Sequence, residues 1–284
     1  MRVSVGDVQL FFEVFGQEWA FAGDAVQRRP ALIGLHGGPG LDGTKLRYQL
    51  APLAEVAQVV VPDQRGHGRS DRGGPQTWNL GAWAADVRNL ADALGIQQPI
   101  VLGVSFGGFV AQQYAATYPK HPAGLILIST GPCFAGMEET VERFREVGGD
   151  EAADVVRRDW ESPSEETSAE WSRVCGPLMS LRRDPLLDRL RADRIETMDV
   201  NLHFMKEGKA MDFREGLGAV RCPTLVILGS RDPLVPTRLG REIVEAVPDG
   251  LARLELIDEA AHDVMVDNPA DSYRVVREFL AELA

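Results

Sequence analysis

Short apolar, β-branched runs alternate with longer helical patterns over most of this chain. That alternation restricts the fold to an α/β class with a mostly parallel central sheet and helices on both faces. The strand-like runs are Ala31 to Leu35, Val59 to Val61, Ile100 to Val104, Leu125 to Ile128, Thr224 to Leu228 and Ala252 to Ile257. Val8 to Phe15 reads as an earlier strand of antiparallel type. Helical patterns cover Leu46 to Leu53, Trp83 to Leu94, Phe106 to Tyr118, Thr237 to Ala246 and Ala270 to Leu283. Loops leaving the carboxyl ends of parallel strands form the crevice where ligands bind, so chemistry is expected there.

The alternation stops after Ile128. From about Gly131 to Gly218 the chain is strongly charged and helical, with segments Met137 to Val147, Glu151 to Trp160 and Ser164 to Arg173. Gly148-Gly149, Ser162-Pro163 and Asp184-Pro185 punctuate it. The sequence therefore predicts one domain over residues 1–130 and 219–284, with a helical cap, residues 131–218, inserted at the carboxyl edge of the sheet. The charged faces of the cap read as solvated surface.

A chain of 284 residues, 44% hydrophobic, can bury a substantial core. Its net charge of -12 would repel a phosphate backbone or an anionic membrane, so nucleic-acid and membrane partners are not expected. Cys133, Cys175 and Cys222 are odd in number and far apart, which suits reduced thiols in a cytoplasmic protein. The first residues form no secretory apolar stretch, and no run approaches the roughly 18 apolar residues of a membrane span. A soluble, cytoplasmic protein is expected, and the sequence does not set its oligomeric state.

Gly103-Val104-Ser105-Phe106-Gly107 stands at a strand-to-helix corner. So sharp a turn forces the serine into strained backbone angles and lifts its hydroxyl clear of the sheet, and glycines two residues either side leave room for the chain to pass. A serine hydroxyl is a poor nucleophile at neutral pH; it needs a base, and the base needs an acid to fix its tautomer. Among the five histidines, His262 fits best, because the strand-like run ending at Ile257 leads through a short loop to it. His36 is the rival, in a glycine-rich turn better suited to backbone donors, while His67, His121 and His203 read as structural or surface residues. Asp232 follows Thr224 to Leu228 through Gly229-Ser230-Arg231, whereas the loop Ser129 to Cys133 holds no carboxylate. Asp258 is too near its strand end to reach round an imidazole, and Asp263 reads as a cap or a solvated group. The predicted triad is Ser105, Asp232 and His262, in an order that distinguishes it from other serine hydrolase arrangements.

Developing charge on a carbonyl oxygen needs donors already aimed at it. The expected donors are the N–H of Phe106, at a helix start where the macrodipole favours an anion, and that of Gly38 in His36-Gly37-Gly38-Pro39-Gly40, with Gly37 second. Asp63-Gln64-Arg65-Gly66-His67-Gly68-Arg69-Ser70 is rich in polar groups and reads as a loop that shapes the sheet edge by its own hydrogen bonds. No metal-ligand spacing, P-loop or dinucleotide fingerprint is present, so no metal and no cofactor is expected.

Taken together, His36 to Gly40, Asp63 to Ser70, Gly103 to Gly108, Gly229 to Pro236 and His262 resemble the α/β-hydrolase superfamily over nearly the whole catalytic domain. His-Gly-Gly-Pro-Gly is more specific and resembles the proline iminopeptidase branch of serine peptidases, which releases N-terminal residues from small peptides. The resemblance implies Ser105 as nucleophile, Asp232 and His262 as its partners, and Gly38 and Phe106 as oxyanion donors. One departure is Phe106, where that branch usually has tryptophan. The branch also uses cap carboxylates to hold the substrate's free amine; Glu138, Glu139, Glu196 and Glu207 are available, and no pattern selects among them. The expected partner is a short peptide or another small-molecule substrate. A carboxylesterase or lactonase, or a non-catalytic ligand-binding protein of the same fold, are the alternatives.

Overall fold

The computed structural model of the chain describes residues 1–22 and 25–283, without the side chains of Ala22 and Glu207. In chain order the first elements are β1 (Arg2–Ser4), β2 (Gln9–Phe15), β3 (Trp19–Ala22), β4 (Ala25–Arg28), β5 (Ala31–Leu35), α1 (Thr44–Leu50), β6 (Gln58–Pro62), α2 (Leu80–Ala93), β7 (Ile100–Val104), α3 (Phe106–Thr117) and β8 (Gly124–Ile128). After them come α4 (Met137–Glu161), α5 (Glu165–Val174), α6 (Pro185–Asp193), α7 (Met198–Gly208) and α8 (Arg214–Leu217). The chain closes with β9 (Thr224–Gly229), α9 (Thr237–Ala246), β10 (Ala252–Ile257), α10 (Val264–Asp267) and α11 (Pro269–Glu282).

Among the described residues, eight strands form one sheet in the order β1-β2-β6-β5-β7-β8-β9-β10. The pairs β1–β2 and β2–β6 are antiparallel, and the remaining pairs are parallel. Successive side chains of a strand point to opposite faces. Val101, Leu125, Leu127, Val226 and Leu228 accordingly pack with α2, α3 and α9, while Ile100, Leu102, Ile126, Ile128, Leu225 and Ile227 pack with α1 and α11. With both faces covered, the strands read as continuous apolar runs in the sequence. Each fully buried side chain of this kind contributes roughly 1.5–3 kcal/mol relative to exposure.

Strand β5 lies between β6 and β7, so the chain leaves it to one side and returns on the other. The crevice at such a switch point is bounded here by the loop after β5 and the corner after β7. The register aligns Leu35 with Gly103, and two residues further on Gly37 lies close to Ser105. No helix among the described residues is long and apolar enough to cross a membrane.

Between β8 and β9 the chain makes a helical excursion through α4 to α8. The two helices expected over 137–147 and 151–160 are the two arms of α4, separated by a kink at Gly149, whose φ is 73°. Glycine tolerates that angle with little strain, so the break falls where the Gly-Gly pair stands. Helices α6 and α7 and the β3–β4 hairpin were not legible from the sequence. The hairpin exposes Trp19, Phe21 and Val26, so no burial pattern marks it.

Candidate active site

Ser105 occupies the corner between β7 and α3 with φ of 53° and ψ of -115°, angles that side chains rarely adopt. The neighbouring backbone enforces this corner. A Cβ on Gly103 would lie 2.2 Å from the carbonyl oxygen of Gly107, and one on Gly107 would lie 2.1 Å from that of Leu35. Only glycine fits at either position, so the turn is as tight as the Gly-x-Ser-x-Gly spacing predicts.

Asp232 follows β9 and is fully buried. Its Oδ1 accepts the N–H groups of Leu234 at 2.8 Å and Val235 at 3.0 Å, and its Oδ2 lies 2.8 Å from Nδ1 of His262. Parallel pairing of β9 with β10, with Ile257 opposite Gly229, brings the two loops together. Ser129, just past β8 with φ of 50°, donates its hydroxyl to the carbonyl of His262 at 2.6 Å. That loop was read only for its lack of a carboxylate, yet its serine fixes the histidine's backbone. Burial pulls the His262 pKa down, but the charge of Asp232, its hydrogen bond and the charge of Asp263 outweigh burial and leave it raised.

Ser105 and His262 line one cavity of about 730 Å³, together with Gly37, Gly38 and Phe106. Among the described residues, no hydrogen bond is donated by the N–H of Gly37, Gly38 or Phe106. The three therefore remain available as donors. A Cβ on Gly37 would meet the Val104 carbonyl at 3.0 Å and Cβ of Ser105 at 3.2 Å, whereas the atoms nearest one on Gly38 belong to Leu41. Gly37, the second choice from sequence, is thus the glycine that approaches the serine, as the strand register requires. Phe106 is packed edge-on to Phe204 and Trp83, at 4.9 and 5.1 Å between centroids.

His36 is buried and engaged elsewhere: its Nε2 accepts the N–H of Gln64 at 3.1 Å, and burial lowers its pKa. His67, also buried, is lowered to about 3 by burial and by His36, and so stays neutral. The loop from Asp63 to Ser70 is held internally. Arg65 pairs with Asp86 at 2.7 Å and donates to Asp7, and Asp63 accepts N–H groups of Gly43 and Arg69, each at 2.9 Å, and pairs with Arg47. Burial raises the Asp63 pKa, but Arg47 and these bonds outweigh it and hold the carboxyl below its usual range.

The excursion supplies much of the remaining cavity wall, including Asp159 and Trp160 from α4, Trp171 from α5, Arg191 from α6 and Phe204 from α7. Of the cap carboxylates considered from sequence, Glu138 pairs with Arg157 and Glu139 with Arg238. Glu196 lines the cavity but pairs with Arg194, and the side chain of Glu207 lies outside the described residues. Asp159, which nothing in the sequence distinguished, lines the cavity; its Oδ1 accepts the hydroxyls of Thr167 at 2.8 Å and Ser168 at 3.3 Å, and it has no cationic partner among the described residues. Asp263 stands at the N-cap of α10, one of its two sequence readings, but its side chain makes no capping bond and is not solvated. It is buried beside His262 and ion-paired with Lys45 and Arg191.

Comparison with known proteins gives one family. A model described as the alpha/beta hydrolase fold matches residues 30–269. A proline iminopeptidase of Pestalotiopsis fici is 28% identical over 267 residues, covering 90% of this chain and 94% of the relative. The solved enol-lactonase of Burkholderia xenovorans superposes with a TM-score of 0.76 at 22% identity, over 99% of this chain and 100% of the other. The proline iminopeptidase of Mycobacterium smegmatis does so at 0.75 and 22%, over 100% and 98%.

Proposed function

The chain belongs to the alpha/beta hydrolase fold family and is a hydrolase, and on that premise we propose that it cleaves acyl substrates through Ser105, His262 and Asp232, releasing the N-terminal residue of short peptides. The observation that carries this reading is the Asp232–His262 bond facing the same cavity as the strained Ser105 corner and its unpaired N–H groups. His262 takes the Ser105 proton at Nε2 as Oγ attacks the carbonyl. The oxyanion is received by the N–H groups of Phe106 and Gly37, at the amino end of α3. Asp232 stabilises the imidazolium, which returns the proton to the leaving amine. Water, activated by the same histidine, then hydrolyses the acyl-enzyme.

In this reading residues 131–218 form a cap over the catalytic domain of residues 1–130 and 219–284. Asp159 holds the substrate's free amine, since a carboxylate in a partly buried cavity with no cation of its own favours a bound ammonium. The aromatic wall of Phe134, Trp160 and Phe204 takes the N-terminal side chain.

The test is a panel of prolyl and other aminoacyl arylamides and aryl esters, each with a free and an acylated amine. Turnover of the free-amine arylamides, loss on acylation and a raised KM in Asp159→Asn support the proposal. Equal turnover of blocked and free amines, or hydrolysis of esters alone, replaces it with an esterase or lactonase using the same triad. An enol-lactonase is among the structural neighbours.

A further inference from the structure

The segment from Met179 to Arg183 is fastened to the loop that carries His262. Buried Asp267 accepts the N–H of Ala261 at 2.7 Å on one oxygen and, on the other, the N–H groups of Leu181 at 2.8 Å and Arg182 at 3.0 Å. The N–H of Asp263 donates to the carbonyl of Met179 at 3.0 Å. Three bonds thus tie the approach to Arg182 and Arg183 to Asp263 and Asp267, and the fourth ties Asp267 to Ala261 on the other side of the imidazole. Both arginines line the cavity, and neither has a carboxylate partner among the described residues. Lys45 and Arg191 line the same cavity and share Asp263.

The position of this cationic wall relative to the reaction follows from proton transfer. His262 protonates the leaving group, so the leaving group lies on the imidazole's side of the scissile carbonyl. The Asp267-anchored segment, Lys45 and Arg191 belong to that side. Trp160 is joined through Phe134 to Phe109 on α3, and Asp159, the residue before it, accepts hydrogen bonds from Thr167 and Ser168 of α5. Arg182 and Arg183 are exposed along this wall, and an unpaired guanidinium there can grip a carboxylate with two parallel N–H donors.

We propose that Arg182 and Arg183, backed by Lys45 and Arg191, bind a carboxylate on the leaving group, so that the preferred substrates are short peptides with a free C-terminus. This rests on the aminopeptidase reading, with the amine held at Asp159 and the opposite end of the same small molecule at the arginines.

The experiment compares kcat/KM for Pro-Ala with that for Pro-Ala amide in the full-length protein. The free acid should be favoured about tenfold, the scale of one charge-assisted hydrogen bond, chiefly through KM, and the preference should shrink as salt is raised. The ratio should approach one in Arg182→Gln/Arg183→Gln and reverse in Arg183→Glu, with thermal melting showing that each variant is folded. Equal rates for acid and amide in the unaltered protein, or a ratio unmoved in folded variants, overturn the proposal. If neither peptide is cleaved, it is the aminopeptidase reading that fails. The wall is then read on acetoxyacetic acid against acetoxyacetamide, esters that differ only in the charge of the leaving alcohol. A carboxylate preference there upholds the wall, and its absence overturns it.

Discussion

His262 and Asp232 meet at 2.8 Å across 30 residues of sequence because β9 and β10 pair in parallel and deliver both loops to one edge of the sheet. The carboxylate is fully buried, and burying an ionised group is unfavourable unless hydrogen bonds replace its water. The N–H groups of Leu234 and Val235 and the imidazole supply those bonds. The arrangement holds Nδ1 protonated and leaves Nε2 free to accept a proton.

Asp232→Asn tests that orientation. An amide can offer Nδ1 a donor in place of an acceptor, which favours the wrong tautomer without altering the shape of the site. The expected loss is in kcat, on the order of 10⁴, with KM little changed. Steady-state kinetics on the best substrate of the panel measure it, and a loss under tenfold contradicts the assignment.

The raised pKa of His262 fixes the pH dependence. The base works only when neutral, so kcat/KM falls as pH drops through that pKa, and the acid limb lies above the ordinary imidazole value of about 6.5. Asp263 is one of the groups holding it up and Lys45 opposes it. Asp263→Asn should therefore shift the acid limb to lower pH, and Lys45→Met should shift it higher. A pH–rate profile of each variant checks the sign, and shifts in the opposite directions refute the electrostatic account.

Gly107→Ala probes the corner that presents Ser105. The added methyl would stand 2.1 Å from the Leu35 carbonyl oxygen and 2.7 Å from that of His36, and both are backbone atoms that cannot step aside. A stability loss of at least about 3 kcal/mol by urea denaturation, or failure to accumulate folded protein, is expected. Near-native stability with full activity would mean that the turn is looser than described.

The central sheet was legible because its strands are buried on both faces and their apolar runs are interrupted only by turn residues. That Ser105, Asp232 and His262 each come after a strand was legible because an apolar run precedes each of them. Asp263 was not, because its burial depends on Lys45 and Arg191, which approach from α1 and α6. Nor was Asp159, one carboxylate among many on charged helices. That Gly37 lies nearer Ser105 than Gly38 does depends on the β5–β7 register, which pairs residues 68 positions apart, Leu35 with Gly103. Helix α6 was missed because Leu187 is its one buried residue.

The claim that Ser105 is the nucleophile is tested most directly by reacting the folded protein with a fluorophosphonate and mapping the adduct by peptide mass spectrometry. The account predicts one adduct, on Ser105, formed at a rate that falls with protonation of His262 and absent in Ser105→Ala. No labelling of folded protein, or labelling that persists at another residue when Ser105 is replaced, would contradict it.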